Sequence, residues 1–319
     1  MTWLVTGGAG YIGAHVVRAL IADGHEVAVL DDMSTGVKDR LPDGVPLVMG
    51  SVLDQAALER ALADHAVTGV VHLAGKKRVG ESVAKPLYYF QENVEGLRIL
   101  LAAMGAHGVR SLVFSSSAAV YGMPDVELVT EDTPCAPLSP YGLTKLIGEQ
   151  LIAAAAAAQP LAYVNIRYFN VAGAATPELA DRGAANLIPL VFERMDAGLP
   201  PRIFGGDYPT PDGTGIRDYI HVADLAEAHT AAARRLSADP GTALTLNAGR
   251  GVGVSVREII EIIGNVVGAP GLTGVVEARR AGDPARSVAA ADRIREELGW
   301  TARLGVPEMV ESAWAGWRR

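Results

Sequence analysis

The apolar positions of this chain come in short runs separated by longer stretches of helical spacing. Trp3 to Thr6 is apolar and breaks into Gly7-Gly8-Ala9-Gly10-Tyr11-Ile12-Gly13. From Tyr11 to Asp23, Ile12, Val16, Ala19 and Leu20 recur at helical intervals, Gly24 ends the segment, and Glu26 to Leu30 reads as a second strand. That is a β-loop-α-β unit. Further strands are predicted at Leu47-Val48-Met49, Val70-Val71-His72, Leu112-Val113-Phe114 and Ala162 to Arg167. Helices are predicted at Asp54 to Asp64, Pro86 to Gly105 and Pro140 to Ala158, the last closing on a strongly helix-forming alanine run. Such alternation predicts an α/β fold, a Rossmann-type doubly wound parallel sheet.

Beyond Gly173 the alternation weakens, and Pro and Gly gather at Pro200-Pro201 and across Gly205 to Gly213, as in loops around a site. A helix at Val222 to Leu236 and a strand at Ala243 to Asn247 return to the first unit. The expected division is a nucleotide-binding domain of residues 1–172 joined by 217–248, and a smaller α+β substrate lobe of residues 173–216 and 249–319.

Bulk properties narrow the function. The 319 residues are 49% hydrophobic and 20% charged, an ordinary globular balance. A net charge of −8 argues against nucleic acid or an anionic membrane as partner, so an anionic small substrate needs local arginines. The single cysteine, Cys135, excludes an internal disulfide and suits a reducing compartment. No apolar run reaches membrane-spanning length, and the chain enters a strand pattern at once. The expectation is a cytoplasmic globular enzyme or binding protein without a metal.

Gly7, Gly10 and Gly13 lie between a strand and a helix, where such spacing carries meaning. The first permits the turn, the second lets backbone approach a pyrophosphate, and the third lets the helix pack closely. Asp31 ends the second strand, where its carboxylate suits a ribose 2′-hydroxyl and repels a 2′-phosphate, favouring NAD over NADP despite Lys38 and Arg40 nearby. Asp54 can meet the adenine or cap its helix. Leu73-Ala74-Gly75 is small enough for a cofactor to lie against the sheet edge, and Lys77 can reach a phosphate or ribose or remain a solvated loop lysine.

Leu112-Val113-Phe114 turns polar at Ser115-Ser116-Ser117, at the edge where open α/β sheets bind ligands. There Ser117 can relay a proton, while Ser115 fits a hydroxyl that satisfies backbone groups. Ser139 and Pro140 read as the cap and first residue of a helix, which sets Tyr141 and Lys145 one turn apart on one face. A nearby ammonium favours the phenolate, so Tyr-x-x-x-Lys makes sense as a proton-transfer unit.

In chain order, Thr6 to Gly13, Gly75 to Ser82, Ser115 to Gly122, Tyr141 to Lys145, Arg167-Tyr168-Phe169-Asn170 and Gly213 to Val222 together resemble the UDP-hexose 4-epimerases of the extended short-chain dehydrogenase/reductase superfamily. The resemblance runs essentially from end to end. It implies Tyr141 as base, Lys145 as its activator and nicotinamide-ribose ligand, and Ser117 as relay. For NAD it further implies Gly7, Gly10, Tyr11, Ile12, Gly13, Asp31, Asp32, Val52, Asp54, Leu73, Ala74, Gly75, Lys77, Asn93, Ser115 and Tyr168. For a UDP-sugar it implies Phe169, Asn170, Asn186, Leu187, Phe204, Arg217, Tyr219, Arg280, Asp283 and Ser287. The implied cycle oxidises C4, turns the 4-keto sugar about its pyrophosphate and re-reduces it on the other face. The helices at 86–105 and 140–158 carry apolar faces with which this superfamily builds dimers, implying a homodimer.

Arg217 and Arg280 supply the cations a pyrophosphate needs, unless Asp218 and Asp283 take them as surface ion pairs. Related dehydratases carry an Asp-Glu pair directly after the active-site hydroxyl; here Ala118 and Ala119 cannot do acid-base work. Ser287 is small where a bulky residue would crowd an N-acetyl group, which opens UDP-N-acetylhexosamines as substrates, and Arg286 raises a uronic acid as a lesser one. A catalytically silent NAD-binding sensor is the reading from another class, and retention of Ser117, Tyr141 and Lys145 argues against it.

Overall fold

A computed structural model describes residues 1–183, 186–280 and 282–319. Its main sheet is built from β1 (Thr2–Thr6), β2 (Glu26–Asp31), β3 (Leu47–Met49), β4 (Gly69–His72), β5 (Ser111–Ser117), β6 (Ala162–Tyr168) and, much later, β10 (Ala243–Ala248). The strands are parallel in the order β10-β6-β5-β4-β1-β2-β3. The order reverses at β1, where β2 and β4 flank it, so a crevice opens above its carboxyl end.

Both faces of this sheet are covered, which is why its strands read as unbroken apolar runs. Trp3, Val5, Val29, Val71, Val113 and Ile166 point to one side, against α1 (Tyr11–Ala22) and α8 (Val222–Ala238). Leu4, Leu30, Val70 and Leu112 point to the other, against α2 (Gln55–Asp64), α5 (Gly96–Ala106) and α6 (Pro140–Ala158). The segment predicted as one helix at 86–105 is helical throughout, but a π-helical turn divides it. α4 (Pro86–Tyr89), preceded by α3 (Val79–Ala84), runs through a π-helical turn at Phe90–Glu95 into α5. Apolar spacing alone does not reveal such a turn, because hydrophobic positions continue on both sides of it.

The rest of the chain is organised by two small sheets. β7 (Asn170–Ala172) follows β6 directly and pairs with β9 (Ile216–His221), which also pairs with β11 (Gly253–Ser255) and β13 (Arg286–Ser287). β8 (Arg202–Phe204) pairs with β12 (Val275–Glu277). These pack with α7 (Leu187–Asp196), α9 (Val256–Val266) and α10 (Val306–Trp317) around Phe192, Ile203, Ile259, Ile263 and Met309. The strand at 216–221 thus lies in a small sheet, and the chain rejoins the main sheet with α8 and β10. Since β7 continues straight from β6, this lobe stands at the carboxyl edge of the main sheet.

Candidate active site

The glycine loop has the geometry its spacing calls for. Gly7 sits at φ +72°, and a Cβ there would lie 2.8 Å from the Ala74 nitrogen. A Cβ on Gly13 would strike the Gly7 carbonyl, so only glycine lets α1 start this close. Gly10 is the N-cap of α1 and supplies no capping side chain, leaving the first-turn amides of Tyr11, Ile12 and Gly13 for an anion. That uncapped cradle fits a dinucleotide pyrophosphate. Tyr11 itself is buried and donates to the Gly173 carbonyl at 2.5 Å.

Asp31 accepts from the amides of Ala9 and Met33, each at 2.9 Å, so it tethers the glycine loop while facing the crevice edge. Asp32 accepts from the Ser34 amide at 2.9 Å. Arg40 donates to the Ala180 carbonyl at 2.9 Å and Lys38 is exposed. Asp54 takes the capping role on α2, accepting from the Ala57 amide at 3.1 Å, and Val52 is buried below Gly96. Past β4, Leu73 and Ala74 are half-buried, and Ala74 donates to Thr6 Oγ1 at 3.4 Å. Asn93, on the π-turn, accepts from the Lys76 amide at 2.8 Å and donates to the Lys76 carbonyl and Thr144 Oγ1, each at 3.0 Å. It thereby fixes the Gly75 loop to α6. Lys77 is exposed.

At the reacting edge Ser139 caps α6, accepting from the Gly142 amide at 3.1 Å, with Pro140 as first residue. Tyr141 and Lys145 are both buried, at 7% and 6% exposure, and at that depth solvation decides their charge. Burial raises the Tyr141 phenol, and a hydrogen bond with Ser117 works against that rise. The expected lowering of Tyr141 by Lys145 is not what the site displays. The Lys145 ammonium turns to the Ser115 carbonyl at 2.8 Å, and burial lowers it to about 8 against the pull of Glu149. Ser115 also departs from expectation: its hydroxyl bonds His229 Nε2 at 2.7 Å and not a backbone group. Ser117 Oγ accepts from the Ala119 amide at 3.2 Å. Tyr168 is half-buried beside this group, its phenol raised by burial and by Tyr141.

The β9 sheet collects four of the residues expected to hold substrate, Asn170, Arg217, Tyr219 and Ser287. Arg217 is opposite Ser287 in the β9–β13 register, and Tyr219 is opposite Asn170 in β9–β7. Arg217 and Tyr219 share one face of β9, as alternation requires. Neither proposed ion pair forms. Asp218 points to the other face and accepts from the amides of Arg250 and Gly251 at 2.9 Å and Ala289 at 3.2 Å, while burial raises it to about 6. Arg217 donates to the Ile216 carbonyl at 2.9 Å and meets no carboxylate among the described residues. Arg280 lies 3.7 Å over the Phe204 ring, and Asp283 contacts it only through backbone, its amide to the Arg280 carbonyl at 3.3 Å. Phe169 is buried beside Tyr121 and Val129. Asn186 donates to Asp181 at 3.0 Å and precedes Leu187 at the start of α7, which has no capping side chain.

The family model described as NAD dependent epimerase/dehydratase matches residues 3–249, most of the chain and all of the main sheet but Thr2. The chain belongs to that family. It is similar to the UDP-glucose 4-epimerase of Azospirillum brasilense, with 44% identity across 99% of this chain and 91% of the relative. Among solved structures it is similar to a UDP-glucose-4-epimerase from Stenotrophomonas maltophila carrying NAD and formylated UDP-arabinopyranose, at a TM-score of 0.94 and 40% identity, over 100% of this chain and 98% of that one. It is also similar to the UDP-Glc/GlcNAc 4-epimerase of Campylobacter jejuni, at a TM-score of 0.86 and 34% identity, over 99% of each chain.

This epimerase/dehydratase family member also has a buried scaffold that the motifs do not announce. Arg167 grips Glu149 with contacts of 2.6 and 2.9 Å and donates to the Tyr121 hydroxyl at 2.9 Å; that hydroxyl donates to Asn247 at 2.7 Å. Ser116 donates to the same Glu149 carboxylate. Glu149 follows Lys145 by one helical turn, the only sequence signal for its place. Among the described residues, no cluster of three or more His, Cys, Asp or Glu is arranged to hold a metal, and no helix is long and apolar enough to cross a membrane.

Proposed function

We propose that this protein interconverts UDP-galactose and UDP-glucose through oxidation and re-reduction at C4, with NAD as its cofactor. The observation that carries the reading is one constellation. A buried Tyr141 beside Ser117, with Lys145 one turn on, stands at the carboxyl edge next to a sheet whose Arg217 has no carboxylate partner among the described residues. When bound, NAD supplies the hydride acceptor and donor. The glycine loop and the uncapped start of α1 hold its pyrophosphate, and Asp31 meets a ribose. Tyr141 takes the 4-hydroxyl proton, with Ser117 as its hydrogen-bonded relay. Lys145 is charged at neutral pH even with its value lowered to about 8, so it stabilises the phenolate as it forms. Arg217 and Arg280 hold the substrate pyrophosphate through charge-assisted bonds while the keto sugar turns, and Tyr141 then returns the proton. Ala118 and Ala119 form the turn after Ser117 and offer no acid for elimination, which disfavours a dehydratase.

A second substrate class is supported by Ser287, half-buried directly across from Arg217 on β13. A small side chain there leaves room for an N-acetyl group. Proton NMR of the purified protein with UDP-galactose and, separately, UDP-N-acetylgalactosamine tests both readings. Epimerisation of UDP-galactose at C4 is expected, and its absence with NAD supplied overturns the assignment. Turnover of the acetylated sugar that disappears in Ser287→Tyr supports the wider pocket. Exposed Val79, Val83 and Leu87, the last at 83% exposure, together with Leu143, support a homodimer formed through α3, α4 and α6.

A further inference from the structure

Lys76 belongs to no part of the chemistry above, yet its ammonium has four neighbours. Its ammonium lies 3.2 Å from Ser34 Oγ, 3.8 Å from Asp32 and 3.8 Å from Glu92, and 5.9 Å from the centre of the Tyr88 ring. Ser34 and Asp32 follow β2, whereas Lys76 follows β4, and Glu92 and Tyr88 belong to the helical segment beyond it. β1 runs between β2 and β4. A side chain that starts beyond β4 and ends on residues beyond β2 therefore passes above the carboxyl end of β1. That is where the glycine loop begins and where a doubly wound sheet takes its dinucleotide. The base of this arm is fixed, since Asn93 holds both the amide and the carbonyl of Lys76.

We propose that Lys76 is a cofactor-retaining residue, a clasp that joins the two loops flanking the dinucleotide crevice and must open before the cofactor leaves. This rests on the NAD-binding reading. Chemically it is a positioning role: the ammonium neutralises Asp32 and Glu92, which would otherwise repel each other and the phosphates, and its release requires separating charges that salt screens. Retention by this route is electrostatic, so it weakens as ionic strength rises, whereas retention by packing does not.

The test is the rate at which protein loaded with NADH loses fluorescence when chased with excess NAD, at low and at high salt. Lys76→Met is expected to release NADH roughly fivefold faster at low salt, as two weak, partly exposed ion pairs acting together allow. Wild type is expected to quicken with salt and Lys76→Met to be indifferent to it, with thermal midpoints alike. Lys76→Arg, which keeps the charge, is expected to restore slow, salt-sensitive release. A Lys76→Met variant that releases at the wild-type rate, or keeps the wild-type salt dependence, overturns the clasp. Wild-type protein that takes up neither NADH nor NAD overturns the cofactor reading itself, an outcome visible before any variant is compared.

Discussion

Burial pulls Tyr141 and Lys145 in opposite directions, the phenol up and the ammonium down to about 8, and each change makes the neutral form cheaper. Both shifts work against the phenolate, so forming it depends on the Lys145 charge and the bound substrate offsetting burial. Replacing Tyr141 by Phe keeps the ring and removes the acid. Turnover is expected to fall by about two to four orders of magnitude, the usual worth of a positioned acid-base group. UDP affinity by calorimetry and the thermal midpoint are expected to stay near wild type, because the phenol stands beside Ser117 and away from the arginines of the pyrophosphate anchor. Retention of a tenth of wild-type turnover would place the base elsewhere.

α6 is pinned to the sheet by one buried ion pair, Glu149 with Arg167, reinforced by Ser116 and Tyr121. Glu149→Gln keeps the shape but leaves the Arg167 guanidinium without its counter-charge at depth. A loss of roughly 3–5 kcal/mol is expected in urea unfolding, the cost of breaking rather than replacing a buried pair. A loss under 1 kcal/mol would mean that Tyr121 and the Glu131 carbonyl satisfy Arg167 alone. Elements of this kind also mark where the sequence is readable. The β1-loop-α1 unit and α6 were legible because Gly7, Gly13, Ser139 and Pro140 impose local geometry that no tertiary partner alters. The π-turn at Phe90–Glu95 was not, since its reason for existing is the bond from Asn93 to a loop near Lys76 and to Thr144. The strands of the β9 sheet were hidden for a related reason. Arg217 and Asp218 interrupt any apolar pattern, and only the amides of distant residues 250, 251 and 289 account for a buried carboxylate there. Within the site, residue types were legible, but their partners were not: Ser115 reaches a histidine more than a hundred positions away.

At the scale of the whole molecule, several histidines are buried in neutral form. Burial lowers His15 and His229 to about 4, and burial with the Lys145 charge lowers His72 to about 3. Between an ordinary value of about 6.5 and these depressed values, the unfolded chain binds protons that the folded chain refuses. Stability must therefore fall as pH drops through that window, each group contributing up to about 1.4 kcal/mol per pH unit. Asp218, raised to about 6, works in the opposite sense by taking a proton in the folded state, and offsets one histidine. A lower urea midpoint at pH 5 than at pH 7 is expected; an equal or higher one would show that the histidines do not control acid stability.

The route of the chain through its two lobes has a consequence for how the protein is made. The outer partner of β6 is β10, and the segment from Phe169 to Thr242 must leave the ribosome before that partner exists. At ordinary rates of synthesis, about 5–20 residues per second, the wait lasts roughly 4–15 seconds. Throughout it the nascent sheet shows the open edge of β6 and, until α8 follows, the uncovered side chains of Val113 and Ile166. Such an edge invites pairing with any other strand. The interval in which this chain most needs a chaperone is thus written into its strand order.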